Sequence, residues 1–196
     1  MHHHYILHKP YGFLSQFITH AQRQKKKHRF LGELYNFAEG TMSIGRLDRA
    51  SEGLLLLTTD GKVSHEITGK KYEKEYYAQL DGVITDEALE QLRKGVDITV
   101  DGHAYTTLPG LAKRIDPPGF EARQPPVRDD RHGPTSWISI IIREGKFRQV
   151  RKMTAAVGFP TLRLVRVRVA GVWLGDLRRG EVREVQQFDG VTEVQE

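Results

Sequence analysis

The chain has 196 residues, enough for one domain or two closely joined halves, since domains commonly run about 100–200 residues. Hydrophobic residues make up 38% and charged residues 28%, as in an ordinary soluble globular protein, and no apolar run approaches the roughly 20 residues of a membrane-spanning helix. Cysteine is absent, which excludes disulfides, thiolate metal ligands and a cysteine nucleophile, while 30 Lys and Arg against 25 Asp and Glu leave a formal charge of +5. The basic excess is clustered. RQKKKHR fills 23–29, and the last third adds Arg143, Lys146, Arg148, Arg151, Lys152, Arg163, Arg166 and Arg168. One such run describes a solvated face; several, recurring beside apolar strand patterns, point to nucleic acid.

No secretory signal is visible, and the histidines after Met1 read as a tag remnant with no assigned function. Residues 5–17, YILHKPYGFLSQF, predict a strand ending at Pro10 and Gly12, followed by a polar loop from Thr19 to Arg29. Phe30, Leu31, Leu34, Phe37 and Ala38 fall at helical spacing and predict a short amphipathic helix over 30–38, ended by Gly40. In GLLLLTTDG, 53–61, four leucines before Asp60-Gly61 predict a buried strand closed by a hairpin-type turn. Residues 74–83 predict another strand. Thr85 then caps a helix with Asp86 and Glu87 in its first turn, Leu89, Leu92 and Val96 on one face and Gly95 near its end.

From Gly110 to Pro134 the density of proline, glycine and charge predicts a long irregular connection. SWISIIIREG, 136–145, alternates as a strand does, and FRQVRKMTAAVG, 147–158, predicts a helix with Val150, Met153 and Val157 inward and Gly158 as its cap. In LVRVRVAGVWLG, 164–175, Val165, Val167 and Val169 share one strand face, and Arg166 and Arg168 take the other. There is no repeat and no parallel βαβ rhythm. The fold class is α+β, a mixed, mainly antiparallel β-sheet with flanking helices.

Among the titratable residues, Asp48 stands out, set in a tight, glycine-bounded turn between Arg46 and Arg49. Most loop aspartates are turn or capping residues, and the pattern alone does not lift Asp48 above that reading. Glu52 and Asp60 lie close in sequence, so a metal-dependent nuclease built on Asp48, Glu52 and Asp60 is a second reading. Against it, Asp60 belongs to the Asp-Gly turn signal, and no histidine-rich or glycine-spaced ligand motif supports a metal.

GRLDRASEGLLLLTTDG, 45–61, resembles the catalytic motif of the RsuA-type RNA pseudouridine synthases, G-R-L-D-x-x-[ST]-x-G-L-L-L-L-T-x-D-G, at every specified position. HKPYGFLSQF at 8–17 is similar to the family's K-P-x-G-x-x-S motif, KEYYAQL at 74–80 to K-x-Y, and EGKFRQVRKMTAAVG at 144–158 to E-G-x-x-R-Q-V-R-[RK]-M. The order is the family's, and the likeness spans residues 5 to 170. The PPVR…PTSW and RQVRKMTAAVGFPTLRL stretches look most like the branch acting on large-subunit ribosomal RNA. Many relatives begin with a small extra RNA-binding module for which these 196 residues have no room, so target choice is expected to rest on the catalytic domain and its loops.

The resemblance implies the pseudouridine synthase fold, one catalytic domain over 1–196 with two halves around a central cleft. The half 1–72 would carry GRLD, and 73–196 the KEYY and RQVRKM motifs. It implies isomerisation of uridine in RNA: the bond from ribose to N1 breaks, the base turns and ribose rejoins at C5, with no cofactor and no metal. Asp48 would be the ionised catalytic carboxylate, acting on the ribose carbon or on the proton of the 2′ carbon. Arg151 would pair with it, and Tyr76 would stack on the base, with Tyr77 on the opposite strand face. Leu164 would wall the site, and Arg46, Lys74, Arg148 and Lys152 would bind substrate. Lys25, Lys26, Lys27, Arg29, Arg128 and Arg131 are expected on the RNA backbone, compensating the cost of extruding a base. The expected partner is ribosomal RNA, with no membrane and no small-molecule cofactor, for a monomer in the bacterial cytoplasm. A noncatalytic ribosomal-RNA-binding assembly protein is the alternative.

Overall fold

The computed structural model describes residues 2–18, 28–128 and 132–191, so Lys25, Lys26, Lys27 and Arg131 lie outside the described residues. The chain forms two compact units, one of Met1–Tyr72 with Arg166–Glu196 and one of Glu73–Val165. The expected half 73–196 therefore divides: 73–165 stand as the second unit and the rest returns to the first. The return has a clear cause, because the last strand pairs with the first.

In the first unit β1 (His4–Lys9) lies between β5 (Glu52–Thr58) and β13 (Val182–Val185), antiparallel to both. The two-residue strand β4 (Met42–Ser43) pairs with β5. Every residue of β5 is buried, so its four leucines serve both faces of the sheet. Each contributes about 1.5–3 kcal/mol by leaving water. Of the histidines read as a tag remnant, His4 belongs to this sheet and His3 bonds to it. His4 opens β1 with its Nδ1 2.9 Å from Thr58 Oγ1, and the His3 backbone N–H donates to Thr59 Oγ1 at 2.9 Å.

Two expectations fail here. Residues 30–38 hold no α-helix: Arg29–Phe30 is a short strand, β3, parallel to β2 (Phe13–Leu14), and Leu31–Glu33 is a single 3-10 turn. Their apolar side chains instead close a ring cluster, with Phe37 5.3 Å from Tyr5, 5.2 Å from Phe17 and 5.1 Å from Tyr35. Asp60-Gly61 makes no hairpin either. The Asp60 carboxylate accepts from Lys62 N at 2.8 Å and Val63 N at 3.4 Å, capping helix α1 (Gly61–Thr68).

In the second unit β6 (Lys74–Asp81) pairs antiparallel with β10 (Thr135–Ile142), and β10 with β9 (Leu111–Ile115), a strand inside the stretch expected to be irregular. Ala78 and Leu80 of β6 and Ile138, Ile140 and Ile142 of β10 share one face. They pack against Leu89 and Leu92 of α2 (Asp86–Lys94) and Val150 and Met153 of α3 (Gln149–Ala156). Thr85 caps α2 as expected, its hydroxyl accepting from Ala88 N. Between α2 and β9 runs an unforeseen hairpin, β7 (Asp97–Val100) and β8 (His103–Thr106), turned by Asp101 and Gly102, both at positive φ. Strand β11 (Thr161–Val169) carries the chain from the second unit back to the first, where it pairs with β12 (Val172–Trp173). Both faces of β11 are covered around its middle, for Arg166 is only 5% exposed although it lies opposite the valines, while Arg168 is partly buried.

Candidate active site

Asp48 sits in the first unit, partly buried, in the loop between β4 and β5. The turn after β1 holds this loop on both sides of the aspartate. Ser15 Oγ donates to Leu47 O at 2.8 Å and accepts from Leu47 N at 3.0 Å, and Gly12 N donates to Arg49 O at 2.8 Å. Ser51 N donates to Asp48 O at 3.0 Å, tightening the loop before β5 begins. Gly12 has φ +89, a conformation other residues rarely adopt, so the K-P-x-G spacing has a backbone reason.

Lys9, the last residue of β1, is fully buried and donates from Nζ to Pro10 O at 2.9 Å and Phe13 O at 2.8 Å. Burial lowers its ammonium to about 7, against the pull of the Glu52 and Asp48 carboxylates, and the Arg166 cation lowers it further. Arg166 donates from Nε to Leu54 O at 2.8 Å. Lys9 on β1, Glu52 on β5 and Arg166 on β11 thus join Asp48 in one group of two cations and two carboxylates. Sequence reasoning assigned no role to Lys9 or Ser15, and read Glu52 only as a candidate metal ligand and Arg166 only as part of the basic cluster. Lys9 and Ser15 are nonetheless the lettered positions of K-P-x-G-x-x-S, which was the available signal. Arg46 is exposed, free to meet solvent or a polyanion.

The nuclease trio does not assemble. Glu52 is buried inside the sheet and Asp60 caps a helix, and among the described residues no group of three or more His, Asp or Glu is placed to hold a metal.

The second unit carries the other expected residues. Lys74 opens β6, buried, with Nζ donating to Arg143 O at 3.1 Å. Tyr76 and Leu164 both pack on the core between sheet and helices, Leu164 as a fully fledged core member and Tyr76 only partly buried. Tyr77 takes the other face, 6.2 Å from the Phe120 ring, where burial and Glu75 push its phenol up. Arg151 is half-buried on α3 and donates from Nη1 to Thr161 O at 3.1 Å. Arg148 is exposed, and the Lys152 ammonium lies 5.3 Å from the Phe147 ring. Arg128 donates to Asp81 at 2.8 Å and to the Gly133 and Pro134 carbonyls, each at 3.2 Å, while Arg29 is exposed and paired with Glu33 at 3.1 Å.

Glu144, also unassigned from sequence, organises the E-G-x-x-R-Q loop. Its buried carboxylate accepts from Gln149 Nε2 at 2.6 Å, from Leu108 N at 2.9 Å and from the Tyr105 hydroxyl.

Residues 3–156 match the family model described as RNA pseudouridylate synthase. The chain belongs to this family. It is 44% identical over 183 residues to the ribosomal large subunit pseudouridine synthase E of Vibrio parahaemolyticus, covering 92% of this chain and 73% of that protein. To the protein of the same name from Xanthomonas axonopodis pv. citri it is 44% identical over 171 residues, covering 86% and 85%. A crystal structure of a pseudouridylate synthase superposes with a TM-score of 0.72 at 26% identity, covering 94% of this chain and 70% of that one. The α+β class and the pseudouridine synthase fold expected from the sequence are therefore correct, and the chain is an enzyme of this family.

Proposed function

We propose that this protein converts a specific uridine of large-subunit ribosomal RNA into pseudouridine, with Asp48 as the reacting carboxylate. The observation that carries the reading is the clamp on Asp48, bonded through Leu47 and Arg49 to the turn of the K-P-x-G-x-x-S motif. A catalytic group must be held within a fraction of an ångström of its working position, and this loop is built for that.

The reaction balances within the nucleotide. The bond from N1 to the ribose breaks, a bond from C5 to the ribose forms, and the proton lost from C5 is matched by one gained at N1. Asp48 acts as nucleophile at the ribose carbon or as base at the 2′ carbon, and a primary deuterium isotope effect at the 2′ position marks the second route. Arg151 is assigned as the cation that partners the carboxylate and Tyr76 as the ring that stacks on the base. Arg46, Lys74, Arg148 and Lys152 serve substrate, while Leu164 contributes apolar support. Both units together are taken as one catalytic domain, monomeric and cytoplasmic.

The test compares large-subunit ribosomal RNA from cells with and without the protein by carbodiimide mapping of pseudouridine. Loss of one site, restored by the wild type and not by Asp48→Asn, is the expected result, with RNA binding retained by the variant. An unchanged map fits the noncatalytic assembly protein and overturns the proposal.

A further inference from the structure

We propose that the exposed ring of Phe147 is a stacking platform for an unpaired RNA base, with Lys146, Arg148 and Lys152 holding the phosphates on either side. The inference rests on the reading above that this protein acts on RNA, and says how it grips the strand.

Phe147 is 62% exposed. A lone exposed ring is ordinary on a protein surface. What distinguishes this one is its mounting. The loop 144–149 closes on itself: Gln149 N donates to Lys146 O and Lys146 N to Gln149 Oε1, each at 3.1 Å. The other end of the same amide bonds buried Glu144. Arg148 takes φ +53, in the left-handed region that residues with a side chain seldom occupy. The backbone is thus bent and pinned on both sides of Phe147, and the apolar side chain at its apex is left in water. A ring meant to fill space would be turned inward.

One cation lies on the ring and two adjoin it in sequence. The Lys152 ammonium is 5.3 Å from its centroid, and Lys146, the preceding residue, is exposed with its ammonium 4.8 Å from the Tyr105 ring. Arg148 is exposed beside them in sequence. An acidic peptide would satisfy the cations and leave the aromatic face bare. A folded apolar partner would strand three charges. A single-stranded nucleic acid offers phosphates and flat bases at alternate positions, which is the chemistry that matches both.

The test uses fluorescence anisotropy with two labelled probes, a short oligouridylate and an abasic ribose-phosphate strand of equal length. Phe147→Ala is expected to weaken oligouridylate binding about tenfold and leave the abasic strand unaffected, with Phe147→Trp restoring the preference. Lys152→Ala is expected to weaken both strands alike and to flatten the salt dependence. Thermal melting controls for folding. Equal affinity of wild type and Phe147→Ala for oligouridylate, or an equal loss on both probes, overturns the platform. If the wild type also isomerises ribosomal RNA, the functional reading stands without it; a wild type that binds neither strand and leaves uridine unchanged sinks both.

Discussion

At the scale of single residues, Lys9 and Ser15 bear the argument. A lysine is almost never fully buried unless partnered, and Lys9 is held by two carbonyls and two carboxylates. Its folded pKa of about 7 lies below the ordinary 10.5, so between these values the unfolded chain holds a proton that the folded one lacks. Stability from this group therefore rises with pH through that window and is flat below it. The urea midpoint of the wild type should climb relative to that of Lys9→Met from about pH 7 to about pH 10. Parallel profiles would remove the titration from Lys9. Ser15→Ala deletes both bonds to Leu47 at a cost of about 1–3 kcal/mol in folding. Because the loop carries Asp48, kcat should fall far more than KM changes, on the order of 100-fold, and Ser15→Thr should recover part of it. Asp48 can be singled out from sequence because its motif is contiguous. The buried cations cannot be, since a charge on a strand reads as surface and the carboxylates that offset it lie on other segments.

At the scale of elements, local signals were read well where the structure answers them locally. Thr85 caps α2 from its own sequence, and the apolar positions after it, Leu89 and Leu92, are the ones that meet the core; the alternation of β10 likewise survives in its buried isoleucines. Asp-Gly was ambiguous: Asp60 spends its carboxylate on a helix cap, whereas Asp101-Gly102, overlooked, makes the hairpin. Strand β9 has one buried residue, Ala112, and exists because β10 supplies its partner, which no local pattern announces. Residues 30–38 had helical spacing because several apolar side chains turn to one side, and an irregular path achieves the same. Gly95 ends α2 at φ +100, and an added methyl would collide with the Thr107 carbonyl oxygen. Gly95→Ala should therefore lower stability by about 1–3 kcal/mol, seen as an earlier thermal or urea transition. A neutral result would mean the backbone there yields easily.

At the scale of the whole molecule, the family was visible in four contiguous motifs and so was the boundary after Tyr72, while the return of the last segment to the first unit was not. The boundary at residue 166 falls inside β11, and the final segment rejoins the first unit because Tyr5, Ile6 and Leu7 pair with Glu184, Arg183 and Val182. Pairing across nearly the full chain leaves no local trace. With a formal charge of +5 and its cations clustered, the protein should lose RNA affinity linearly in log salt, measurable by anisotropy from low to physiological ionic strength. An affinity indifferent to salt would exclude phosphate contacts as the main grip. The pairing of β1 with β13 also bears on biosynthesis. A nascent chain emerging from the ribosome has every strand of the second unit in hand while β1 still shows an open edge, so the unit holding Asp48 closes last, and a product stopped before residue 182 keeps that sticky margin.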